Sequence, residues 1–123
     1  MGSETKVQHL IHNFGIPRCH IFSSRDTSFY PNLMKETEGQ GVDIVLNCLA
    51  GDLLHASWKC VAEFGKMIEI GKRDFLEHGT LALEAFEGNR AFFGVDLIRL
   101  AEKAGTVTRY AILAFLAESK INM

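Results

Sequence analysis

Apolar positions along this chain change their period repeatedly, and each change marks an element. Ser3 is a helix N-cap residue, and Val7, Leu10, Ile11 and Phe14 follow it at i, i+3, i+4 and i+7, the spacing of one helical face. Gly15 and Pro17 end that helix. A short strand is expected around His20-Ile21-Phe22, then a polar turn from Ser23 to Ser28 that offers caps for a second helix. The second helix holds Leu33 and Met34, accepts Pro31 in its first turn and stops near Gly39. Val42-Asp43-Ile44-Val45-Leu46-Asn47 is the clearest strand, nearly all apolar after the aspartate, as in a strand covered on both faces.

Gly51-Asp52 opens a third helix with Leu54, Trp58 and Val61 on one face, Leu53, Cys60 and Phe64 beside it, and Gly65 closing it. Lys66–Ile70 is the third strand, stopped by Gly71, and Ala91–Val95 is the fourth. The stretch from Lys72 to Arg90 holds no periodic run, and two helices split at Gly105-Thr106 finish the chain. Strands separated by helical segments predict parallel βαβ units in a doubly wound α/β sheet. No repeat, linker or boundary divides residues 1–123, so one domain is expected.

Composition narrows the function. A length of 123 residues with 47% apolar and 23% charged residues describes a folded chain rather than a disordered one. Thirteen Lys+Arg against fifteen Asp+Glu leave a formal charge of −2, with no basic excess for nucleic acid. No apolar run reaches the ~18–20 residues of a membrane span, and Met1-Gly2-Ser3-Glu4-Thr5-Lys6 has no signal-peptide core. Cys19, Cys48 and Cys60 form no Cys-x-x-Cys and read as reduced thiols, so a cytoplasmic setting without membrane contact is expected.

Open parallel sheets bind ligands outside the carboxyl ends of their strands. Here those ends carry Ser23-Ser24-Arg25-Asp26, Asn47-Cys48-Leu49-Ala50-Gly51, Ile70-Gly71-Lys72-Arg73-Asp74 and Phe93-Gly94-Val95-Asp96. Small residues let a ligand approach the backbone, and Arg25, Lys72 and Arg73 suit phosphates or carboxylates. Taken singly, the glycines serve equally as turn residues and the cations as solvated charges. Ser3 and Lys6 open a helix, where free N–H groups favour an anion, although a plain cap and an exposed lysine explain them as well. His9 and His12 stand at i, i+3 without further ligands or a His-Glu-x-x-His, so no metal is expected. No Gly-x-Ser-x-Gly, Walker-type loop or Gly-x-Gly-x-x-Gly is present.

Phe14-Gly15-Ile16-Pro17, Ile21–Phe29, Gly41–Asn47, Phe64–Phe75 and Asn89–Leu97 together resemble the enoyl reductase domain of iterative, highly reducing polyketide synthases of the fungal kind. Such domains belong to the zinc-free, quinone-reductase-like branch of the medium-chain dehydrogenase/reductase superfamily. The resemblance covers almost the whole chain and implies NADPH-dependent reduction of an α,β-unsaturated thioester carried on an acyl carrier protein. It implies that Ser3 and Lys6 contact the adenosine 2′-phosphate with Arg25 close by, and that Asn47 borders the ribose and nicotinamide. Gly71, Lys72, Phe93 and Gly94 would pass near the nicotinamide. Asp26 is the candidate proton donor, and Lys6 suits the phosphate better than the proton. Cys48 stands where serine is usual, and Arg18 and Cys19 stand where an acidic residue is common.

The same resemblance implies a partial Rossmann-like domain, the C-terminal part of an NADP-binding domain. The first two strands, the glycine-rich turn and the substrate-binding domain are not matched. In the strand order 3-2-1-4-5-6, the four expected strands are the third to the sixth. The strand at Ile21 would then have no neighbour, and the strand at Ile44 would expose an unpaired apolar edge. Reduction by this chain alone is therefore not expected, nor NADPH binding in the family's manner. The alternatives are a non-catalytic remnant of a synthase, or a module that completes a partner's sheet or associates with itself through that edge.

Overall fold

The computed structural model describes residues 3–111 and 114. Helix α1 spans Glu4–Phe14; the Ser3 hydroxyl accepts the Lys6 N–H, and left-handed Gly15 closes the last turn by bonding Ile11. A 3-10 turn at Arg18–His20 follows. Ile21 is extended and buried but belongs to no strand. The strand expected there fails for the reason anticipated: a strand exists only through a ladder, and no strand among the described residues lies beside it.

Helix α2 (Phe29–Glu36) leads to strand β1 (Val42–Asn47), helix α3 (Asp52–Lys59) and strand β2 (Val61–Glu69). A short α4 (Arg73–Leu76) and a 3-10 segment (Leu83–Gly88) precede strand β3 (Ala91–Gly94) and helix α5 (Leu97–Lys103). Residues 106–111 are helical again. The three strands form one parallel sheet in the order β1-β2-β3, with helical crossovers, as the α/β reading requires.

Helix α3 ends at Lys59, short of Gly65. Val61 fits helical spacing after Leu54 and Trp58, but Val42 already pairs with Val61 in the sheet. The register then jumps, so that Ile44 pairs with Lys66. The extra residues form a bulge in which Phe64 has φ 62°. A Cβ on Gly65 would lie 2.8 Å from the Ala62 carbonyl oxygen and 2.9 Å from that of Asp43, so glycine lets the two strands close again.

One sheet face carries Val45, Met67 and Phe92 in register. Leu54 and Trp58 of α3 pack with Val61 and Met67 over it. Trp58 also meets Phe86 and Phe92 at ring separations of 5.0 and 5.8 Å. Each such buried side chain contributes about 1.5–3 kcal/mol. Phe29, Ala56 and Cys60 extend this core under α2.

The opposite face carries Leu46, Ile68 and Phe93 in register, with Ile44 one step back on β1. Ile44 is 62% exposed, Leu46 58% and Phe93 50%. The apolar run of β1 suggested cover on both faces; among the described residues only one face is covered.

Candidate functional site

The carboxyl ends of the strands align in a row. Asn47 pairs with Glu69, and Glu69 with Gly94. The ladder runs one step further, through Ile70 N–H to Asn47 O and Val95 N–H to Glu69 O, both at 2.9 Å. The loops after the strands therefore leave the sheet at one level, as a shared ligand edge needs.

Asn47 and Glu69 are both buried, on the covered face. The Asn47 side-chain nitrogen donates to Leu49 O at 2.8 Å and to Glu69 Oε2 at 2.5 Å. Glu69 Oε1 accepts the Gly71 N–H at 2.6 Å. Burial pushes the Glu69 carboxyl above its ordinary value; the bonds from Asn47 and Gly71 pull it back, and the charge of Asp74 adds to the push. Glu69 was not among the expected site residues. Its signal was parity: in Met67-Ile68-Glu69-Ile70 the glutamate lies two residues after Met67, on the face that a buried methionine marks as interior.

Gly71 follows this carboxylate closely, and a Cβ there would stand 2.7 Å from Glu69 Oε1 and 3.2 Å from Cys48 O. Lys72 forms a half-exposed ion pair with Asp96 at 2.9 Å. Asp96 also caps α5, accepting Ile98 and Arg99 N–H groups at 3.1 Å. Gly94 lies under the Phe75 ring, 2.8 Å from where its Cβ would be. Asn47, Gly71, Lys72, Phe93 and Gly94 thus come together at one edge. The Gly51 N–H at the head of α3 donates to the Asp74 carboxylate at 3.1 and 3.3 Å, so the chain itself supplies the anion there.

A second group lies away from the sheet. Ser3, Glu4, Arg18 and Arg25 line an open cleft of about 390 Å³ floored by Val7 and Ile21. The Arg18 guanidinium donates to Ile21 O at 2.9 Å, and the Arg25 N–H donates to Ser23 Oγ at 3.3 Å. Two guanidinium groups and a hydroxyl at the head of an 11-residue helix are donors of the kind a phosphate monoester takes. Lys6 is half-buried one turn inside that helix and does not line the cleft. Arg18 does, although the sequence marked it only as a departure from the acidic residue usual there.

Asp26 belongs to neither group. It lines a separate cleft with Tyr30, Asp52, His55 and Lys59 and accepts the Ser28 N–H at 2.9 Å. Its hydrogen bonds from Ser28 hold the carboxyl below the usual range.

The model of the zinc-binding dehydrogenase family matches residues 19–122, and this chain belongs to that family. The chain is 66% identical over 103 residues to a highly reducing polyketide synthase of Fusarium sp, and 52% identical over 118 residues to one of Alternaria alternata. These matches cover 84% and 95% of the chain but only 4% of each relative. Among solved structures it resembles the nucleotide-binding subdomain of the enoylreductase domain of PpsC from Mycobacterium tuberculosis, with 28% identity and a TM-score of 0.77. That match covers 98% of this chain and 66% of the other. The CurK enoyl reductase matches at 27% identity and a TM-score of 0.65, over 98% of this chain and 35% of that one. The resemblance to enoyl reductase domains of fungal polyketide synthases holds, and so does the partial Rossmann-type fold.

The family description raises zinc. Among the described residues Cys19, His20 and Glu36 bring donor atoms within 4.8 Å of one another, all exposed. Structural zinc takes four ligands, and this trio does not complete the set. No described helix is long and apolar enough to cross a membrane.

Proposed function

We propose that this chain is the carboxyl-terminal part of the nucleotide-binding subdomain of an enoyl reductase, in the polyketide-synthase lineage that makes secondary metabolites. Its cofactor is NADPH, which supplies the hydride that reduces an α,β-unsaturated acyl thioester on an acyl carrier protein. The observation that carries the reading is the in-register row Asn47–Glu69–Gly94, which sets Phe93 and the loop bearing Gly71 and Lys72 at one edge. Asn47, Gly71, Lys72, Phe93 and Gly94 border the ribose and nicotinamide. Ser3, Arg25 and the newly found Arg18 receive the adenosine 2′-phosphate, with Lys6 adding charge at the head of α1. The chain works in the cytoplasm, as part of a larger reductase rather than as a reductase by itself.

The test is an NADPH fluorescence titration of the purified chain beside NADH, with 2′-AMP as competitor. The expected result is weak binding that requires the 2′-phosphate and falls roughly tenfold to a hundredfold in Arg25→Ala, one lost charged contact being worth about 1.5–3 kcal/mol. Equal binding of NADH, or no change in Arg25→Ala, overturns the phosphate assignment. Thioester-dependent NADPH oxidation by the chain alone overturns the claim that it needs a larger reductase.

A further inference from the structure

We propose that the cavity between α3, α4 and the covered face of the sheet binds a small organic cation, an ammonium or amidinium group carried on an apolar body about the size of a benzene ring. The proposal goes beyond the cofactor reading and does not depend on it.

The shape of the cavity sets the size of the ligand. It holds about 180 Å³, and Leu54 of α3, Phe75 of α4, Phe92 of β3 and Leu81 form its apolar walls. Apolar cavities of roughly 150 Å³ hold a benzene ring, so this one has room for a ring and a small polar head. The strap after α4 is held close to it. His78 is left-handed at φ 57°, and the Gly79 N–H donates to Asp74 O at 2.7 Å. A Cβ on Gly79 would stand 3.0 Å from Asp74 Cβ.

The charge of the lining sets the sign of the ligand. Glu69 lines the cavity while only 2% exposed, and the Asp74 carboxylate lines it too. Burial raises the Glu69 carboxyl, the bonds from Asn47 and Gly71 oppose that rise, and the charge of Asp74 adds to it. Among the described residues neither carboxylate is paired with a cation: Lys72 pairs with Asp96, and Arg73 with Glu77. A carboxylate has about four acceptor positions, and Glu69 fills two of them, with Asn47 and the Gly71 N–H. Phe75 and Phe92, with ring centres 6.4 Å apart, put aromatic surface beside these acceptors. A cation is attracted by both.

A metal ion fits less well. His55 also borders the cavity, but the donor atoms of His55, Glu69 and Asp74 do not gather within 4.8 Å of one another as those of Cys19, His20 and Glu36 do. An organic cation needs no such convergence, and its apolar body uses the walls.

The experiment titrates the full chain, without nucleotide, with benzamidine, and with benzamide as a neutral molecule of the same shape. Calorimetry and amide chemical shifts are read together. Expected are 1:1 binding of benzamidine at about 1 mM, shifts at Phe75 and at residues 79–81, and benzamide at least about tenfold weaker. Asp74→Asn and Glu69→Gln, each checked as folded by circular dichroism, should weaken benzamidine at least about tenfold and benzamide little. If Glu69→Gln does not fold, Asp74→Asn decides. No saturation of the folded chain below about 10 mM overturns the proposal. So does equal binding of benzamide, which would make the cavity an apolar void without charge selection. Shifts confined to the cleft of Asp26 and Lys59, which His55 also borders, overturn it as well. Because no NADPH is present, failure here and failure of the cofactor titration are separate results.

Discussion

Asn47 and Glu69 meet across the carboxyl ends of β1 and β2, the Asn47 amide nitrogen 2.5 Å from one Glu69 oxygen while the other accepts the Gly71 N–H at 2.6 Å. One buried carboxylate therefore fixes both the Asn47 side chain and the loop that carries Lys72. Both of its partners are donors, so only a group with two acceptor atoms satisfies them.

Glu69→Gln tests that geometry. An amide offers one oxygen and one NH2, and the NH2 must face a donor, either Asn47 or Gly71. Leaving one buried donor unmatched costs about 1–3 kcal/mol. The expected result is a lower urea midpoint with an unchanged m-value, and faster exchange of the Gly71 amide. An unchanged midpoint would mean that the bonds seen here do not hold the loop.

The same carboxyl makes stability depend on pH. Its value in the folded chain lies above the ordinary 4.5, chiefly because of burial. The folded state then holds the proton more tightly than the unfolded state. Stability falls as pH rises from about 4.5 through the raised native value, and levels off above it. Wild-type melting temperatures should fall across this window while those of Glu69→Gln stay flat, because the substitution removes the titrating group. Parallel curves would assign the dependence to other groups.

Much of the fold was legible because period and punctuation agreed. Ser3 and Gly15 bound α1 as their chemistry requires, and Val42–Asn47 is the strand the apolar run indicated. The end of α3 was not legible, because Val61 satisfies helical spacing after Leu54 and Trp58 while its pairing with Val42 is visible only in three dimensions. The strand at Ile21 failed because a strand is a property of two segments, and sequence shows one. That Asn47, Gly71, Lys72, Phe93 and Gly94 would gather at the carboxyl edge of the sheet was legible from the strand pattern. Arg18 was not read as part of the cleft, since its approach to Ser3 and Arg25 depends on how the 3-10 turn folds back on α1.

Phe64 tests the bulge. It sits at φ 62° and is 72% exposed, so its side chain gains little from packing. A left-handed conformation costs a non-glycine residue about 1–2 kcal/mol. Glycine removes that strain but adds about 0.4–1 kcal/mol of unfolded-chain entropy. Phe64→Gly should therefore stabilise slightly, by up to about 1.5 kcal/mol, with a urea midpoint at or above wild type. A clear loss of stability would show that the Phe64 ring is covered in solution.

Asp96 has two duties that substitution separates. Its Oδ1 caps α5 and its Oδ2 pairs with Lys72. The Lys72 bond, then the cap, hold the carboxyl below its ordinary value. Asp96→Asn keeps a cap and loses the ion pair; Asp96→Ala loses both. Amide exchange at Ile98 and Arg99 should stay slow in the first and quicken in the second, while Lys72 becomes more reactive to acylation in both. Equal exchange in the two variants would mean that the cap depends on the ion pair.

The three cysteines should react in two classes. Cys19 and Cys48 are exposed, whereas Cys60 is buried and its thiol donates to Ala56 O at 3.3 Å. Burial pushes the Cys60 thiol up to about 11. The reacting species is the thiolate, so at pH 8 Cys60 is disfavoured twice, by access and by ionisation. A disulfide reagent should titrate Cys19 and Cys48 quickly, and Cys60 only at the rate at which α3 and β2 part. That slow phase should vanish in Cys60→Ala and quicken with urea. Three equally fast thiols would mean that the core of Phe29, Ala56 and Cys60 opens freely in solution.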